Sequence, residues 1–297
     1  MTKPKVLVIV GPTASGKTSL SIELAKQRDG EVISADSRQV YRGLDLGTGK
    51  VTTEEMQGIP HHLLDVADPK QVYTVHEYVE AGRTAIKSII ERNHLPIIVG
   101  GSFFYVDALL GRVTLPPVPP NETLRKELDT VTTEELFKNL QERDPRRAQE
   151  IDKDNRPRLI RAIEISAALG AVPLPYTEPH YDALTIGIAI EKEALHKNIH
   201  ERLITRMEAG MLEEVKQLHA HGLSYDRLES LGLEYRYLAQ HLRGELPYCE
   251  MLTVLETKIR QFAKRQMTWL KRDSEIIWMD TSDKTGIMNL VQEFLEK

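Results

Sequence analysis

The stretch Val6-Leu-Val-Ile-Val-Gly-Pro-Thr-Ala-Ser-Gly-Lys-Thr18 decides the fold. Five apolar residues that favour a β-strand lead into the pattern G-x-x-x-x-G-K-[ST], and residues 17–28 then carry helical spacing. The glycines of this pattern let successive backbone N–H groups curl around a phosphate, while the N-terminus of the helix adds positive potential. We therefore predict a phosphate-binding loop rather than a chance glycine turn, formed by Gly11, Pro12, Thr13, Ala14, Ser15, Gly16, Lys17 and Thr18.

Two side chains of this loop have predictable roles, although the loop alone does not identify the reaction. Lys17 is expected to reach the outer phosphate of the ligand, and the Thr18 hydroxyl to hold Mg²⁺. No N-K-x-D guanine motif is present. The segment Ile276-Ile-Trp-Met-Asp280 has the form of a metal-holding ATPase strand, but it lies so near the C-terminus that we interpret it as a structural strand, with a metal role as the alternative.

Four more short apolar runs indicate the sheet to which the first strand belongs. They cover residues 32–35, 95–99, 184–190 and 276–279, and helical segments separate them. Continuous apolar strands that alternate with helices are typical of a parallel sheet covered on both faces. The sequence thus predicts an α/β fold, with a doubly wound, P-loop NTPase-like parallel sheet as its core.

Two proline-rich stretches interrupt this pattern. Leu115-Pro-Pro-Val-Pro-Pro120 and Val172-Pro-Leu-Pro-Tyr-Thr-Glu-Pro179 flank a segment with helical periodicity and no strand candidate. We interpret the segment as an inserted all-helical domain; two ordinary loops around core helices are the alternative. The expected organisation is a first core part at 1–115, a helical insertion at 116–182, and a second core part at 183–297 that ends in a basic helix.

The charge of the chain is mildly acidic on average but uneven along the sequence. The 297 residues carry 39 Lys+Arg and 44 Asp+Glu, so the net charge is 39 − 44 = −5, which on average argues against nucleic acid as a partner. Residues 257–272, however, hold six cations and no acid, with Phe262 and Trp269 among them. A helix with this composition suits a phosphate backbone, and a solvated helix face is the alternative.

Composition also limits the setting in which the protein works. The single cysteine, Cys249, excludes a disulfide framework and a cysteine-based zinc cluster, and it fits a reducing compartment. The apolar runs are far shorter than the roughly 20 residues of a membrane helix, and no signal peptide opens the chain. We therefore expect a cytoplasmic protein with no membrane partner. The histidine pairs, His61 with His62 and His196 with His200, are not expected to bind zinc.

In open α/β sheets, ligands bind beyond the carboxyl ends of the strands. The phosphate loop follows the first strand, and Asp36 lies in the same kind of position after the second strand. A carboxylate there can hold metal, act as a general base, or cap the next helix. The stretch Asp36-Ser-Arg-Gln-Val-Tyr41 that it opens, taken together with the phosphate loop, resembles the tRNA dimethylallyltransferases of the IPP transferase family. Similar motifs lie at 58–65, 100–101, 155–164, 202–214 and 263–270.

The resemblance implies transfer of a dimethylallyl group from dimethylallyl diphosphate to N6 of adenine 37, beside the anticodon of tRNA, with release of diphosphate. Adenine N6 is a poor nucleophile, so a carboxylate that accepts its proton helps, and Asp36 at the strand end is the expected general base. The resemblance implies Arg206 as the arginine that stabilises the leaving diphosphate, with Arg202 as the alternative, alongside Thr18 as Mg²⁺ ligand. The target adenine is expected to flip out of its stack. The residues expected to contact tRNA are Asp36, Ser37, Arg38, Gln39, Ser102, Arg158, Arg161, Lys264 and Arg265.

The expected partners are the anticodon stem-loop, clamped by the helical insertion, and dimethylallyl diphosphate, bound by a monomer. Two stretches depart from the family pattern. Phe103 follows Ser102 where the family has Gly after Thr, and Gly232-Leu-Glu234 replaces Gly-Tyr-Lys or Gly-Tyr-Arg. A P-loop small-molecule kinase, a free-adenylate prenyltransferase and a non-catalytic RNA-binding protein are the rival functions.

Overall fold

The computed structural model describes residues 3–297 and divides the chain into two compact units. The first combines the chain up to Leu110 with Pro179–Lys297, and the second is Gly111–Glu178. The strands are β1 (Lys5–Val10), β2 (Gly30–Ser34), β3 (His61–His62), β4 (Leu95–Gly100), β5 (Asp182–Ala189) and β6 (Ile277–Asp280). The helices are α1 (Lys17–Gln27), α2 (Thr53–Met56), α3 (Val75–Glu91), α4 (Phe103–Leu110), α5 (Glu122–Asp129), α6 (Thr133–Arg143), α7 (Pro145–Glu150), α8 (Arg156–Leu169), α9 (Lys192–Glu208), α10 (Met211–Ala220), α11 (Tyr225–Ser230), α12 (Leu233–Leu242), α13 (Tyr248–Leu270) and α14 (Lys284–Glu296).

The six strands form one parallel sheet in the order β3-β2-β4-β1-β5-β6, which confirms the predicted α/β fold. Strand β1 is central and pairs with β4 through Val8 and Ile98, and with β5 through Val8 and Thr185. Because all strands run the same way, the carboxyl ends of β1, β2 and β4 meet at one edge. That edge brings the phosphate loop, Asp36 and Gly101 together.

Apolar side chains explain why these runs form the middle of the sheet. Val6, Leu7, Val8 and Ile9 are fully buried, and the core on one face of the sheet joins side chains of β1, β4 and β5 to helices α1 and α14. A second apolar cluster packs helices α9 to α13 around residues 40–44. This helical cluster fixes the elements that surround the sheet edge.

One predicted helix is in fact two. The sequence pattern predicted helical spacing from 193 to 221, and a helix at 199–214 that carries Arg206, but α9 ends at Glu208 and α10 begins at Met211. Gly210 lies between them with φ of +102°, a left-handed conformation that glycine adopts without steric cost. The single helix was therefore wrong, and Arg206 lies in the last turn of α9.

The strand predicted at residues 276–280 is present at Ile277–Asp280. It is the edge strand β6 and pairs only with β5 among the described strands. Asp280 Oδ1 accepts the backbone N–H and the hydroxyl of Ser282, both at 2.8 Å, so this carboxylate caps a turn. Within residues 3–297, no helix is both long and apolar enough to cross a membrane.

The second unit consists of helices α5 to α8, with no strand between Gly111 and Glu178. Its apolar core includes Leu136, Leu140 and Leu159, which are fully buried. Glu164, 2% exposed, accepts hydrogen bonds from the guanidinium groups of Arg125 and Arg161. Burial alone would raise the pKa of this carboxyl, but the hydrogen bonds, that from Arg125 first, hold it below its usual value.

Candidate active site

A cavity of about 460 Å³ opens at the sheet edge where the motifs meet. Its walls come from the phosphate loop and α1, the ends of β2 and β4, the turn after β2, the loop 47–51, and helices α9, α12 and α13. The side chains that bear on its chemistry are Thr13, Lys17, Thr18, Asp36, Ser37, Arg38, Gln39, Ser102, Arg202, Glu234, Phe262, Arg265 and Gln266.

The phosphate loop has the curled backbone that its pattern predicts. Ala14 and Gly16 adopt positive φ angles of 60° and 89°, and Gly16 is the N-cap of α1. The Ser15 hydroxyl is buried, yet it has no hydrogen-bond partner within residues 3–297. An unpaired buried hydroxyl is costly. A ligand oxygen that reached Ser15 would satisfy it.

Lys17 is half-buried at the cavity wall and donates a hydrogen bond from Nζ to the Pro12 carbonyl, at 2.6 Å. The pKa of Lys17 is lowered to about 7 by loss of solvation and, to a smaller extent, by the charge of Arg202, while Asp36 acts in the opposite direction. A dianionic or trianionic ligand would restore the charged ammonium. The electrostatics of the pocket therefore favour an anionic group in contact with Lys17.

Asp36 lies in the turn after β2, directly across the sheet edge from the phosphate loop. Its Oδ1 accepts the backbone N–H groups of Arg38 at 2.8 Å and Gln39 at 3.4 Å. No helix follows until Thr53–Met56, so Asp36 caps a turn and not a helix. The Ser102 hydroxyl accepts the N–H of Ser37 at 2.9 Å, and this bond ties the turn to the residue after β4.

The ends of β2 and β4 approach each other more closely than side chains allow. A Cβ on Gly100 would lie 2.0 Å from the Ala35 carbonyl oxygen. Glycine at this position lets the two strand ends touch, and the turn that carries Asp36 consequently sits against Gly101 and Ser102. The glycine pair of the sequence thus has a geometric reason.

The arginine that faces the cavity is Arg202 and not Arg206. Arg202 is half-buried in the wall and donates from Nη2 to the Gly49 carbonyl, at 2.9 Å. Burial lowers the pKa of its guanidinium, and the neighbouring charge of Arg206 does so further. Arg206 lies one turn along α9, outside the cavity lining, where it donates to the carbonyls of Leu46 and Gly47 and pairs with Glu234 at 3.2 Å.

Arg206, predicted as the catalytic arginine, therefore holds the protein's own carbonyls and carboxylate. Arg202, named as the alternative, takes the cavity position because it lies one helical turn nearer the phosphate loop. A Cβ on Gly49, whose φ is +60°, would lie 2.1 Å from the Arg202 guanidinium. Glycine at position 49 leaves room for that group.

The loop 45–50 is fastened from below by Glu214, a residue that sequence reasoning did not single out. The Glu214 carboxylate accepts the backbone N–H groups of Asp45, Leu46 and Gly47 at 3.0, 2.6 and 3.0 Å. It also accepts the Tyr235 hydroxyl at 2.7 Å. This loop supplies the Gly49 carbonyl that holds Arg202, so Glu214 supports the cavity wall from the side away from any ligand.

Gln266 is a second residue that the sequence interpretation missed. It is 6% exposed and projects from α13 into the cavity edge. Its Oε1 accepts the N–H of Thr13 at 2.9 Å, and its Nε2 donates to the Gly101 carbonyl at 3.1 Å. One side chain thus joins the basic helix to both the phosphate loop and the end of β4.

The predicted tRNA contacts fall into separate places. Ser37, Arg38, Gln39, Ser102 and Arg265 line the cavity together with Asp36, whereas Lys264 is exposed on α13 outside it. The Gln39 amide donates to the Gly49 carbonyl at 3.3 Å and accepts the Ser34 hydroxyl at 3.2 Å, so any pairing with a base edge requires these bonds to rearrange.

The remaining two predicted contacts lie in the second unit. Arg158 is exposed at the start of α8. Arg161 is half-buried, and its guanidinium bonds to Glu164 at 3.0 Å and to the Val118 carbonyl at 2.7 Å. Arg161 therefore stabilises the fold of its own unit, and Arg158 is the better placed of the two to meet a partner.

The two departures from the family pattern have different consequences. Phe103 is buried within α4 and is not part of the cavity lining, so its bulk does not narrow the pocket. Leu233 and Glu234 do line the cavity. Glu234 stands where the family pattern has Lys or Arg. Its negative charge is paired with Arg206, so it does not remain uncompensated in the cavity wall.

The cavity offers oxygen ligands that suit Mg²⁺ and no set that suits zinc. Thr18 brings a hydroxyl and Asp36 a carboxylate to the same pocket, and Mg²⁺ typically uses one or two protein oxygens together with phosphate and water. No cluster of three His, Cys, Asp or Glu side chains with metal-binding geometry occurs in residues 3–297. His62 bonds to Glu31 and His200 to Glu256, while His61 lines the cavity alone.

Comparison with known proteins places these features in a family context. A family model described as IPP transferase matches residues 39–273. The tRNA dimethylallyltransferase 1 of Geotalea uraniireducens is 45% identical over 270 residues, which cover 90% of this chain and 88% of that protein. The tRNA dimethylallyltransferase of Anoxybacillus flavithermus is 37% identical over 297 residues, covering 98% and 95%.

Solved structures show the same similarity. The full-length tRNA isopentenylpyrophosphate transferase from Bacillus halodurans is 36% identical, with a TM-score of 0.76, and the match covers 99% of this chain and 97% of that one. A eukaryotic dimethylallyltransferase, described as acting on tRNA, is 25% identical, with a TM-score of 0.86 and coverage of 99% and 80%.

Proposed function

The chain belongs to the IPP transferase family, and we propose that it transfers the dimethylallyl group of dimethylallyl diphosphate to N6 of adenine 37 in tRNA, beside the anticodon, with release of diphosphate. The observation that carries this proposal is the single cavity that joins a phosphate loop to Asp36 and to the exposed cationic helix α13. A donor diphosphate and an acceptor base can approach each other there from opposite walls.

The donor diphosphate is proposed to lie on the phosphate loop. Thr13, Lys17 and Thr18 of the loop line that position, and Arg202 adds a second cation from α9. The unpaired Ser15 hydroxyl lies buried within the same loop. Charge builds on the diphosphate as its bond to carbon breaks, so donors fixed in advance stabilise the transition state more than the ground state. Arg202 replaces Arg206 in this role.

The proposed transfer breaks one carbon–oxygen bond, forms one carbon–nitrogen bond and releases one proton. The bond between C1 of the allyl group and the diphosphate oxygen breaks, and the pair of electrons leaves with diphosphate. N6 of adenine forms the new bond to C1 and gives up one proton. Asp36 is proposed to accept that proton through Oδ2, because Oδ1 is engaged by the turn backbone.

Mg²⁺ is proposed as the cofactor, held by the Thr18 hydroxyl together with diphosphate oxygens and water. When bound, it neutralises diphosphate charge. The residues of the chain still orient the two substrates. Ser37, Gln39 and Ser102 stand on the wall beside Asp36, where a base turned out of its stack would be held.

The remaining elements of the proposal concern partners and setting. The anticodon stem-loop is proposed to contact Lys264 and Arg265 of α13 and Arg158 of the helical unit, which would clamp it. We further propose that the protein acts as a monomer in the cytoplasm. A free-adenylate prenyltransferase would need no exposed basic helix, which is why RNA is the favoured acceptor.

One assay tests the proposal against its rivals. The protein is incubated with Mg²⁺, radiolabelled dimethylallyl diphosphate and an anticodon stem-loop that carries adenine 37, with a matched loop carrying guanine 37 as control. Label in the adenine loop alone is the expected result. Label only in added AMP, phosphoryl transfer from ATP, or RNA binding without label transfer would each refute the proposed function.

A further inference from the structure

Helix α13 carries an ordered stripe of alternating cations and aromatic rings. Lys258, Phe262, Arg265, Trp269 and Arg272 follow one another at steps of four, three, four and three residues. Such spacing places Lys258, Phe262, Arg265 and Trp269 on one face of α13, and Arg272 continues the stripe in the turn just beyond Leu270, where the helix ends. The adjoining face bears the buried residues, which are Met251, Leu255, Ile259, Ala263, Gln266 and Leu270.

The rings of this stripe are exposed although burial would favour them. Phe262 is 39% exposed and Trp269 is 40% exposed. Each ring has an arginine three residues further along the chain: the Arg265 guanidinium carbon lies 5.9 Å from the Phe262 ring centroid, and that of Arg272 lies 5.7 Å from the Trp269 centroid. The same pairing therefore occurs twice, two helical turns or roughly 10 Å apart.

The stripe begins at the cavity. Phe262 and Arg265 line its edge, whereas Trp269 and Arg272 do not. Aromatic faces and guanidinium planes both stack on unpaired bases, and cations between them neutralise the backbone phosphates. A solvated helix face has no need of two large rings, and an apolar protein partner would not call for a cation beside each.

We propose that this stripe is a stacking track for the unpaired nucleotides of the RNA loop, with Phe262 stacking a base at the cavity mouth and Trp269 stacking a second base farther along. The inference rests on the proposed RNA substrate and adds the residues that hold the loop open. Stacking on Phe262 offsets the loss of stacking when the target base leaves the loop.

The test replaces each ring with leucine, which keeps apolar volume and removes the stacking face. Phe262→Leu and Trp269→Leu should each weaken binding of the anticodon stem-loop by roughly 5- to 100-fold. Because no charge is lost, the slope of log affinity against log salt should stay unchanged, whereas Arg265→Gln should reduce it by about 0.7. Tyr248→Leu is the matched control, since Tyr248 is 42% exposed on the same helix but off the stripe.

Fluorescence supplies an independent readout that folding defects do not imitate. The chain has two tryptophans, Trp269 and Trp278. A Trp278→Phe protein reports on Trp269 alone, and its emission should be quenched as stem-loop is added, while a Trp269→Phe protein should change little. Inorganic diphosphate binding should be the same in all variants and serves as the check of folding.

The outcomes separate this inference from the proposed function. If the wild type labels RNA, but Phe262→Leu and Trp269→Leu bind RNA as Tyr248→Leu does and Trp269 emission is unchanged, the stacking track is refuted and the function stands. If the wild type neither binds nor labels the stem-loop, the proposed function itself fails. Loss of diphosphate binding together with RNA binding would assign the rings to the fold and also refute the track.

Discussion

Glu214 supports the loop that holds Arg202, the arginine proposed to stabilise the diphosphate, and replacing Glu214 with glutamine should weaken the donor site although Glu214 does not line the cavity. Its carboxylate accepts four hydrogen bonds, three from the backbone of loop 45–47 and one from Tyr235. Each oxygen accepts two of them. The amide of glutamine keeps one acceptor oxygen, so two of the four donors would face an NH₂ group that cannot accept.

The size of the effect follows from those two lost bonds. Hydrogen bonds to a charged acceptor contribute about 1.5–3 kcal/mol each, and the retained pair weakens as the charge is lost. We therefore expect Glu214→Gln to destabilise the closed loop by about 3 kcal/mol. Gly49, which holds Arg202, belongs to the same loop. If the whole effect falls on the donor site, kcat/KM for dimethylallyl diphosphate should fall on the order of 100-fold.

The assay compares Glu214→Gln with Glu213→Gln in label transfer to the stem-loop and in binding of diphosphate and RNA separately. Glu213 is the matched control, since it is exposed on the same helix and pairs only with Lys216, at 3.2 Å, among the described ion pairs. Donor kinetics should change in Glu214→Gln alone, and RNA affinity in neither. The reasoning would be refuted if the two variants had equal donor kinetics. It would also be refuted if Glu214→Gln lost RNA affinity by the same factor as kcat/KM for the donor.

Three further predictions concern the base, the salt response and acid stability. Asp36→Asn keeps the turn bonds but not the charge, so turnover should fall by about 10²–10⁴-fold with diphosphate affinity retained by calorimetry; loss of both would assign Asp36 to the metal or the fold. Lys264→Gln should reduce the salt slope of RNA binding by about 0.7 without changing kcat, and an unchanged slope would remove Lys264 from the interface. Glu31, 2% exposed, has its pKa lowered to about 2: burial acts to raise it, but hydrogen bonds, that from Arg92 first, outweigh burial. Its contribution to stability, about 2 kcal/mol after allowance for the half-exposed Arg92, is full above pH 4.5 and disappears as the pH falls towards 2; Glu31→Gln should therefore lower the denaturant midpoint at pH 6 more than at pH 3, and an equal shift at both would contradict this.

The core of the fold was predictable because its strands are buried on both faces. Continuous apolar runs such as β1 and β4 are typical of a parallel sheet covered on both faces, and the phosphate loop after the first run indicates the same architecture. The edge strand β3 was not identified as a strand in its own right, since it consists of His61–His62 alone. Gly210 lies inside an amphipathic pattern, and nothing in periodicity distinguishes a tolerated helix glycine from one that ends a helix.

The choice between Arg202 and Arg206 shows why site residues are harder to predict than elements. Both arginines lie on α9 one turn apart, and both suit a diphosphate by residue type. Their roles separate only in three dimensions, where loop 45–50 closes over Arg206 and supplies it with carbonyls. The loop stays in place through Glu214, an acid that sequence patterns assign to a solvated helix face.

Helix α13 contacts both the phosphate loop and the proposed RNA track. Its buried face is fixed in the helical core, Gln266 on that face holds Thr13 of the phosphate loop, and the adjacent Arg265 faces the RNA side. Consecutive residues of one helix, Arg265 and Gln266, thus lie at the proposed acceptor track and at the donor loop, so we expect α13 to help set the distance between the two substrates. If RNA binding shifts α13, the Gln266 bond should move Thr13 and change the affinity for dimethylallyl diphosphate. If α13 does not move, the affinity for dimethylallyl diphosphate should be the same with and without RNA. The average charge of −5 conceals this division, because the acids Glu214 and Glu234 lie behind or in the cavity wall while Lys264 of α13 is exposed to solvent.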